Sequence, residues 1–322
     1  MVKKLINDKE RFLSDMLDGL KHRDPEIEII EDTVVVRKEK KSSGVALVSG
    51  GGSGHEPAHA GYVAQGMLDA AVCGEVFTSP TPDKVLAAIK AVDNGDGVLL
   101  IIKNYSGDVM NFEMAQEMAE AEGHNVASVI VRDDVSIDNE EQRRGVAGTV
   151  VVHKYAGHLA EQGASLDDIV EKVKGMMSTL YSIGMAIHPC LVPTTGEYGF
   201  DLAEDEMEIG IGIHGEKGIS REKAEGVDKI VNRLLDELFK HTDGSRLIVM
   251  VNGMGATPES ELSIVTKYVM EALNDRGITV SKLLVGDYMT ALDMQGFSLT
   301  ILDEDDEILE ALEADTGSKY FK

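Results

Sequence analysis

Four short apolar runs near the start of the chain constrain its fold more than any other feature. Three of them are almost continuously apolar, which is typical of strands in a sheet that is covered on both faces. Segments 81–91 and 108–122 lie between them and repeat apolar residues at helical spacing. The alternation predicts an α/β domain with a largely parallel sheet flanked by helices. The predicted strands are Val45–Val48, Ala70–Val76, Val98–Ile102 and Val126–Val131.

The pattern changes near Gly184, where Pro189 and Pro193 interrupt the chain. After this point the strand–helix alternation resumes and predicts a second, smaller α/β unit. We therefore predict an N-terminal α/β domain at 1–183 and a C-terminal one at 184–322. The other predicted elements are helices at 143–162, 166–182, 224–239 and 259–274, and strands at 206–214, 247–252, 278–285 and 297–302.

A glycine-rich run directly after the first predicted strand indicates a ligand site. Gly50, Gly51, Gly52 and Gly54 surround a single serine, and His55 follows. Glycine lets a backbone turn sharply and lets a ligand approach the main chain closely. Histidine can hydrogen-bond to a ligand or exchange protons with it. We predict a sharp turn here that presents His55.

The segment Lys103–Asp108 follows the third predicted strand and offers a lysine, an amide, hydroxyls and a carboxylate. Ligands of parallel sheets bind at the carboxyl ends of the strands. We therefore expect this segment and His55 to contribute to one site. Asp108 also precedes a predicted helix and is a candidate N-cap, a role compatible with the first.

A second candidate histidine is His214. Large and small residues alternate before it, which predicts a strand, and a histidine that merely closes a strand is the alternative interpretation. The spacing Gly210-x-Gly212-x-x-Gly215 matches a dinucleotide fingerprint. We reject this motif because the first two glycines are predicted inside the strand, whereas the fingerprint needs them in a turn that opens directly into a helix.

Three further features are interpreted more simply. Asn252–Gly255 and Gly286–Thr290 each follow an apolar strand and are predicted to be ordinary turns. His59 is predicted either to line the pocket of His55 or to pack in the core. His153 is predicted to be structural.

Charge and composition exclude several classes of function. The net charge of −26 repels phosphate backbones and anionic lipids, so we expect neither nucleic-acid nor membrane binding;. No apolar run is long enough to span a bilayer, and the amino terminus lacks the apolar core of a secretion signal, which predicts a cytoplasmic protein. Cys73 and Cys190 are predicted to be buried thiols, and no spacing of ligands indicates a metal site.

Four motifs, in this order, resemble the K subunit of dihydroxyacetone kinase, and the resemblance covers essentially the whole chain. It is closer to the separate, phosphoenolpyruvate- and phosphotransferase-dependent bacterial subunit than to the fused ATP-dependent enzymes. Those enzymes carry an additional nucleotide-binding L domain. The motifs are Ser-Gly-Gly-Gly-Ser-Gly-His-Glu-Pro at 49–57, Lys-Asn-Tyr-Ser-Gly-Asp at 103–108, Arg-Arg-Gly-Val-Ala-Gly-Thr at 143–149 and Gly-Ile-Gly-Ile-His-Gly-Glu at 210–216.

The resemblance implies a role for each site residue. His214 would bond covalently to the carbonyl carbon of dihydroxyacetone and form a hemiaminal. His55 and Asp108 would be the acid–base pair around the substrate hydroxyls, with Asp108 removing the proton from the hydroxyl that is phosphorylated. The residues implied to line the substrate pocket are Gly52, Ser53, Gly54, His55, Lys103, Asp108 and His214.

The resemblance also implies partners. This chain would carry no cofactor, and a separate L subunit would hold ADP and magnesium. A phosphotransferase-type M subunit would recharge that ADP from phosphoenolpyruvate. The family further suggests a homodimer.

A sensor is the alternative to an enzyme. Paralogues of the K subunit bind the same ketone and act as transcriptional co-activators through a DNA-binding regulator. Asp108 favours the enzyme, because a sensor needs no base on the hydroxyl. Two features depart from the family pattern: segment 135–144 is shorter than expected, and Lys217 stands where proline is common.

Overall fold

The computed structural model describes residues 3–321 and contains two six-stranded sheets with helices packed against them. The predicted α/β class is confirmed. The strands of the first sheet are β1 (Ile27–Ile30), β2 (Val34–Arg37), β3 (Ala46–Ser53), β4 (Ala70–Val76), β5 (Val98–Lys103) and β6 (Val126–Val131). Their order is β1-β2-β4-β3-β5-β6, in which β4, β3, β5 and β6 are parallel and β1 and β2 add an antiparallel edge.

The second sheet is mostly antiparallel. Its strands are β7 (Leu180–His188), β8 (Glu206–Ile209), β9 (Ser220–Lys223), β10 (Arg246–Gly253), β11 (Thr279–Gly286) and β12 (Gln295–Asp303). In the order β11-β10-β12-β7-β8-β9, only β10 and β11 pair in parallel. It has as many strands as the first sheet. The division predicted between residues 183 and 184 lies inside β7.

Helices cover both faces of the first sheet. The α-helices are α1 (Phe12–Arg23), α2 (Pro82–Val92), α3 (Ser106–Ala121), α4 (Gly148–Glu161), α5 (Leu166–Met177), α6 (Val227–Leu238), α7 (Glu259–Asp275) and α8 (Asp306–Glu313). Short 3-10 helices occur at Lys9–Arg11, Ala60–Tyr62 and Glu140–Gln142. Leu100 and Ile102 of β5 pack in one apolar cluster with α2 and α3, whereas Leu99 and Ile101 pack in another with α4 and α5. This two-sided burial explains why the strand is continuously apolar.

Helix α4 joins the two halves of the molecule. Every residue from Gly148 to Ala160 is buried. Its apolar side chains belong to a cluster that also contains Leu47 of β3 and Met250 of β10. The two sheets therefore share one core. None of the helices in the described residues is long and apolar enough to cross a membrane.

Two local predictions in the His214 region are wrong. The strand predicted at 206–214 ends at Ile209, because Gly210 adopts a φ of 78° that breaks the extended conformation;. The glycines of the rejected fingerprint therefore do follow a strand. However, strand β9 comes next and α6 begins only at Val227, so no helix opens at these glycines and the rejection stands;.

The glycine-rich run is also not a turn. β3 continues through Gly50, Gly51 and Gly52 to Ser53, with these residues paired to β4. A Cβ atom on Gly51 would lie 2.3 Å from Lys103 Nζ, and one on Gly52 would lie 2.5 Å from the backbone nitrogen of Thr78. Close approach by neighbouring groups therefore explains these glycines.

Candidate functional site

Two imidazoles face each other at the centre of the site. His55, just beyond the carboxyl end of β3, is fully buried, and its Nε2 lies 3.0 Å from Nε2 of His214. The loop after β8 carries His214, whose side chain keeps 19% of its surface exposed. Residues 159 positions apart in the chain are thus brought into direct contact.

The other nitrogen of each ring has a partner that requires a proton on that nitrogen. His55 Nδ1 lies 2.8 Å from the carbonyl oxygen of Thr290, and His214 Nδ1 lies 2.8 Å from Oε1 of Glu216. Because both oxygens only accept, each Nδ1 donates. If both rings were neutral, the lone pairs of their two Nε2 atoms would point at each other and repel. The contact between the Nε2 atoms therefore requires one proton shared between them.

The surroundings of the pair keep His55 neutral and Glu216 ionised. Burial, then the charges of His214 and Lys103, lowers the pKa of His55 well below its usual range. Burial alone would raise the pKa of Glu216, but the hydrogen bond from His214 and the charges of His214 and Arg144 outweigh it and lower that pKa to about 2. An ionised carboxylate therefore lies beside His214, and His55 stays neutral.

Glu216 was not identified as a site residue from the sequence. Its second oxygen, Oε2, accepts the backbone N–H of His214 at 2.9 Å, so one carboxylate holds both the ring and the main chain of that residue. A Cβ atom on Gly212 would lie 2.2 Å from the same Oε2. A carboxylate two residues after a reactive histidine was the available signal.

Two aromatic rings enclose His214. The ring of Phe77 packs edge-on at 5.1 Å and that of Tyr105 at 4.6 Å between centroids. Phe77 also stacks on His55 at 5.3 Å, and it has a φ of 55°, which is unusual for a residue other than glycine;. The buried hydroxyl of Tyr105 has no hydrogen-bond partner among the described residues. Both rings stand perpendicular to the imidazole plane and pack against it.

Lys103 and Asp108 form a second charged cluster. Lys103 ends β5 and is fully buried, and its Nζ lies 3.2 Å from Oδ2 of Asp108 in the first turn of α3. The same Nζ donates to the carbonyl oxygen of Gly50 at 2.9 Å. The charge of Lys103 also contributes to the lowered pKa of His55. Asp108 has no backbone-capping contact, since Tyr105 occupies the N-cap position of α3.

The remaining residues predicted for the pocket lie at the carboxyl end of β3: Gly52 and Ser53 are its last two residues, and Gly54 follows. The Ser53 hydroxyl donates to the carbonyl oxygen of Gly74 at 2.7 Å, so it supports the pairing of β3 with β4. A Cβ atom on Gly54 would lie 2.8 Å from Phe77 Cε1, which explains the glycine there.

The segment Gly286–Thr290, predicted to be an ordinary turn, supplies the carbonyl oxygen that orients His55. Asn252, at the end of β10, holds this segment. Its Oδ1 accepts the backbone N–H groups of Tyr288 and Met289, and its Nδ2 donates to the carbonyl oxygen of Met289. Only a folded structure could reveal this role, because the group involved is a main-chain carbonyl.

Comparison with known proteins identifies the family. The Dak1 domain model matches residues 18–320. The chain belongs to the Dak1 domain family. The sequence resemblance to the K subunit of dihydroxyacetone kinase is thereby confirmed.

Relatives of this Dak1 protein match over nearly the full length. It is 48% identical over 314 residues to the dihydroxyacetone-binding subunit DhaK of PTS-dependent dihydroxyacetone kinase 1 from Listeria innocua, covering 95% of each chain. It is 42% identical to the DhaK subunit of the PEP-dependent kinase of Escherichia coli, covering 97% of each.

Two solved structures share the fold. The dihydroxyacetone kinase of C. freundii matches with a TM-score of 0.94 and 37% identity, over 100% of this chain and 60% of the other. The dihydroxyacetone kinase operon co-activator DhaQ matches with a TM-score of 0.91 and 37% identity, over 96% and 98% of the two chains. The Dak1 fold is therefore found in both a kinase and a co-activator.

Proposed function

We propose that this chain is the dihydroxyacetone-binding subunit of a phosphotransferase-dependent dihydroxyacetone kinase. It captures the ketone on His214 and presents a hydroxyl for phosphorylation to dihydroxyacetone phosphate. The names of the relatives support the substrate. The observation that carries the chemistry is the Nε2–Nε2 contact of His55 and His214 at 3.0 Å, with Nδ1 of His214 held by Glu216.

In the capture step, Nε2 of His214 loses its shared proton and forms a bond to the carbonyl carbon of dihydroxyacetone. The shared proton moves to Nε2 of His55, which frees the lone pair on Nε2 of His214 to attack the carbonyl carbon. The carbonyl oxygen takes the π electron pair and receives the proton back from His55. The product is a hemiaminal whose ring still carries one positive charge beside Glu216, so the total charge is unchanged.

This chemistry selects ketones over polyols. Glycerol resembles dihydroxyacetone in size and hydroxyl pattern but has no carbonyl carbon for His214 to attack. Selectivity then depends on reactivity as well as on fit.

Phosphorylation uses the second cluster. Asp108 accepts the proton of the attacking hydroxyl, and the Lys103 ammonium stabilises the negative charge that develops there. A separate L subunit holds ADP and magnesium. An M subunit phosphorylates this ADP at the expense of phosphoenolpyruvate, and transfer of the γ-phosphoryl group from the resulting ATP to the hydroxyl regenerates the ADP. The pocket-lining residues are Gly52, Ser53 and Gly54, and the subunit acts as a homodimer.

A co-activator is the second candidate, and the match to DhaQ favours it. Capture on His214 would serve both functions. The buried ion pair of Asp108 with Lys103 supports the kinase, because a sensor needs no base at the hydroxyl.

Reconstitution with L and M subunits, the general phosphotransferase proteins and phosphoenolpyruvate tests the proposal. We expect dihydroxyacetone phosphate from the wild type and none from Asp108→Asn. Intact-mass measurement should show the dihydroxyacetone adduct on both. An adduct without turnover in the wild type, where the Escherichia coli subunit turns over, would favour the sensor.

A further inference from the structure

A buried network of hydrogen-bonded polar side chains lies behind the Lys103–Asp108 pair. Lys103 Nζ has a third contact, at 3.0 Å, with Nε2 of His59. An ammonium has three N–H donors, and the three contacts to Gly50, Asp108 and His59 use one each;. His59 itself is 4% exposed and has no role in the capture chemistry.

These contacts fix the tautomer of His59. Because Lys103 donates to Nε2, the proton of this imidazole must be on Nδ1, which lies 3.4 Å from Oγ of Ser49;. The Ser49 hydroxyl donates to the carbonyl oxygen of Ile101 at 2.7 Å, so its oxygen remains free to accept.

His153 of α4 is the last member of this network. Its Nε2 lies 3.1 Å from the same Ser49 Oγ and donates to it, which fills the second lone pair of that oxygen;. Its Nδ1 is then an acceptor without a partner among the described residues. A buried acceptor left unpaired costs less than a buried N–H donor left unpaired, which supports this assignment.

Among the buried polar side chains of this network, only Lys103 carries a positive charge. Burial, followed by the charge of Lys103, lowers the pKa of His59 well below its usual range, and the same causes lower that of His153 to about 3. Both imidazoles are therefore neutral. The other two partners of the Lys103 ammonium, the Gly50 carbonyl and the His59 ring, are neutral. Asp108 is therefore the one carboxylate that this ammonium contacts among the described residues.

We propose that His59, with its tautomer fixed by Ser49 and His153, is a positioning residue that holds Lys103 against Asp108 during phosphoryl transfer. It acts through Lys103 and does not touch the substrate. The inference rests on the proposed function, because it assigns the Lys103–Asp108 pair to the transfer step and not to capture on His214.

The test compares His59→Leu with His59→Gln in the reconstituted kinase. Leucine removes the acceptor for Lys103, whereas the glutamine carbonyl can replace it. We expect His59→Leu to lower kcat by about 10- to 100-fold, with KM for dihydroxyacetone and the adduct yield within about twofold of wild type. His59→Gln should recover most of that loss.

Ser49→Ala provides a second, smaller change that leaves His59 in place. It removes the oxygen that fixes the tautomer, and we expect a kcat loss of about 3- to 10-fold with unchanged adduct yield. Thr242→Val is the matched control, since it removes a buried hydroxyl that bonds to Asp303 at 2.8 Å, outside the site. It should leave kcat unchanged.

Two results would overturn the inference: wild-type kcat in both His59→Leu and Ser49→Ala, or an equal loss of kcat and adduct yield in Ser49→Ala. Failure of the proposed function would be distinguishable, because the wild type itself would then form no dihydroxyacetone phosphate.

Discussion

Glu216 holds His214 through both of its carboxylate oxygens, one on the ring Nδ1 at 2.8 Å and one on the backbone N–H at 2.9 Å. The imidazole can therefore neither rotate nor change its tautomer without breaking a hydrogen bond to an ionised group. This arrangement directs Nε2 of His214 toward Nε2 of His55. It also provides the countercharge for the ring before and after a carbon atom is attached.

Replacing Glu216 by glutamine should weaken capture. The amide keeps the shape but loses the charge, and it can present its NH2 group to Nδ1 and so favour the wrong tautomer. We expect the affinity for dihydroxyacetone, measured by titrating the adduct mass, to fall by about 10- to 100-fold. The exposed carboxylate Glu204 offers a control: Glu204→Gln should bind as the wild type does. Wild-type affinity in Glu216→Gln would contradict the role of this carboxylate.

His55 should control the rate of capture more than its extent. It carries the proton from His214 Nε2 to the ketone oxygen but forms no bond that persists in the adduct. In His55→Ala we expect the rate of adduct formation to fall by at least about 100-fold, as for other general acid–base groups. Rapid-quench mass spectrometry measures it. An unchanged rate would exclude the proton-carrier role.

The hydroxyl of Tyr105 is buried without a partner among the described residues, which makes it destabilising;. Tyr105→Phe keeps the ring against His214 and removes the unpaired group. We expect the free energy of unfolding in urea to rise by about 1 kcal/mol, with capture unchanged. A loss of stability would show that the hydroxyl has a favourable contact.

Much of the architecture could be predicted from the sequence, because strands buried on both faces must be continuously apolar. The positions of His55 and Asp108 at one edge of the first sheet followed from the same reasoning, and the fold confirms it. The edge strands β1 and β2 were not predicted, since β1 in Ile27–Ile30 is short and interrupted by a glutamate.

The glycines misled the prediction in two places. Residues 50–52 resemble a turn but form the end of a strand, because Lys103 and residue 78 leave no room for a Cβ atom. Gly210 and Gly212 resemble a strand but form the loop that carries His214, because Gly210 has a positive φ and Gly212 lies against Glu216. Both segments are rich in glycine, so the sequence alone does not tell the strand from the loop. The residues packed against each segment decide which one forms.

Contacts across long sequence separations could not be predicted at all. The carbonyl oxygen of Thr290 orients His55 from 235 residues away, and any residue type can supply a carbonyl. The contact of His153 with Ser49 spans 104 residues and depends on how α4 packs under β3. Neither leaves a local pattern.

Buried neutral histidines make stability depend on pH. The lowered pKa of His153, about 3 because of burial and Lys103, means that the unfolded chain binds a proton below about pH 6.5 that the folded chain does not;. Stability is therefore fully present above that pH and is lost as the pH falls. The slope is about 1.4 kcal/mol per pH unit for this residue between pH 6 and 4.

His153→Gln should reduce the slope by that amount in urea unfolding at several pH values. Thr257→Val supplies the control, because it removes a buried hydroxyl that does not titrate and bonds only to the backbone of Gly296, and it should leave the slope unchanged. Equal slopes in wild type and His153→Gln would mean that this imidazole is not buried in its neutral form.

Dihydroxyacetone labelled with carbon-13 at its central carbon tests the covalent claim most directly. Bound to the wild type, that carbon should lose its carbonyl resonance and appear as a tetrahedral carbon bonded to nitrogen and oxygen, and His214→Ala should abolish this signal. A ligand that binds to the wild type and keeps its carbonyl resonance would contradict capture by His214.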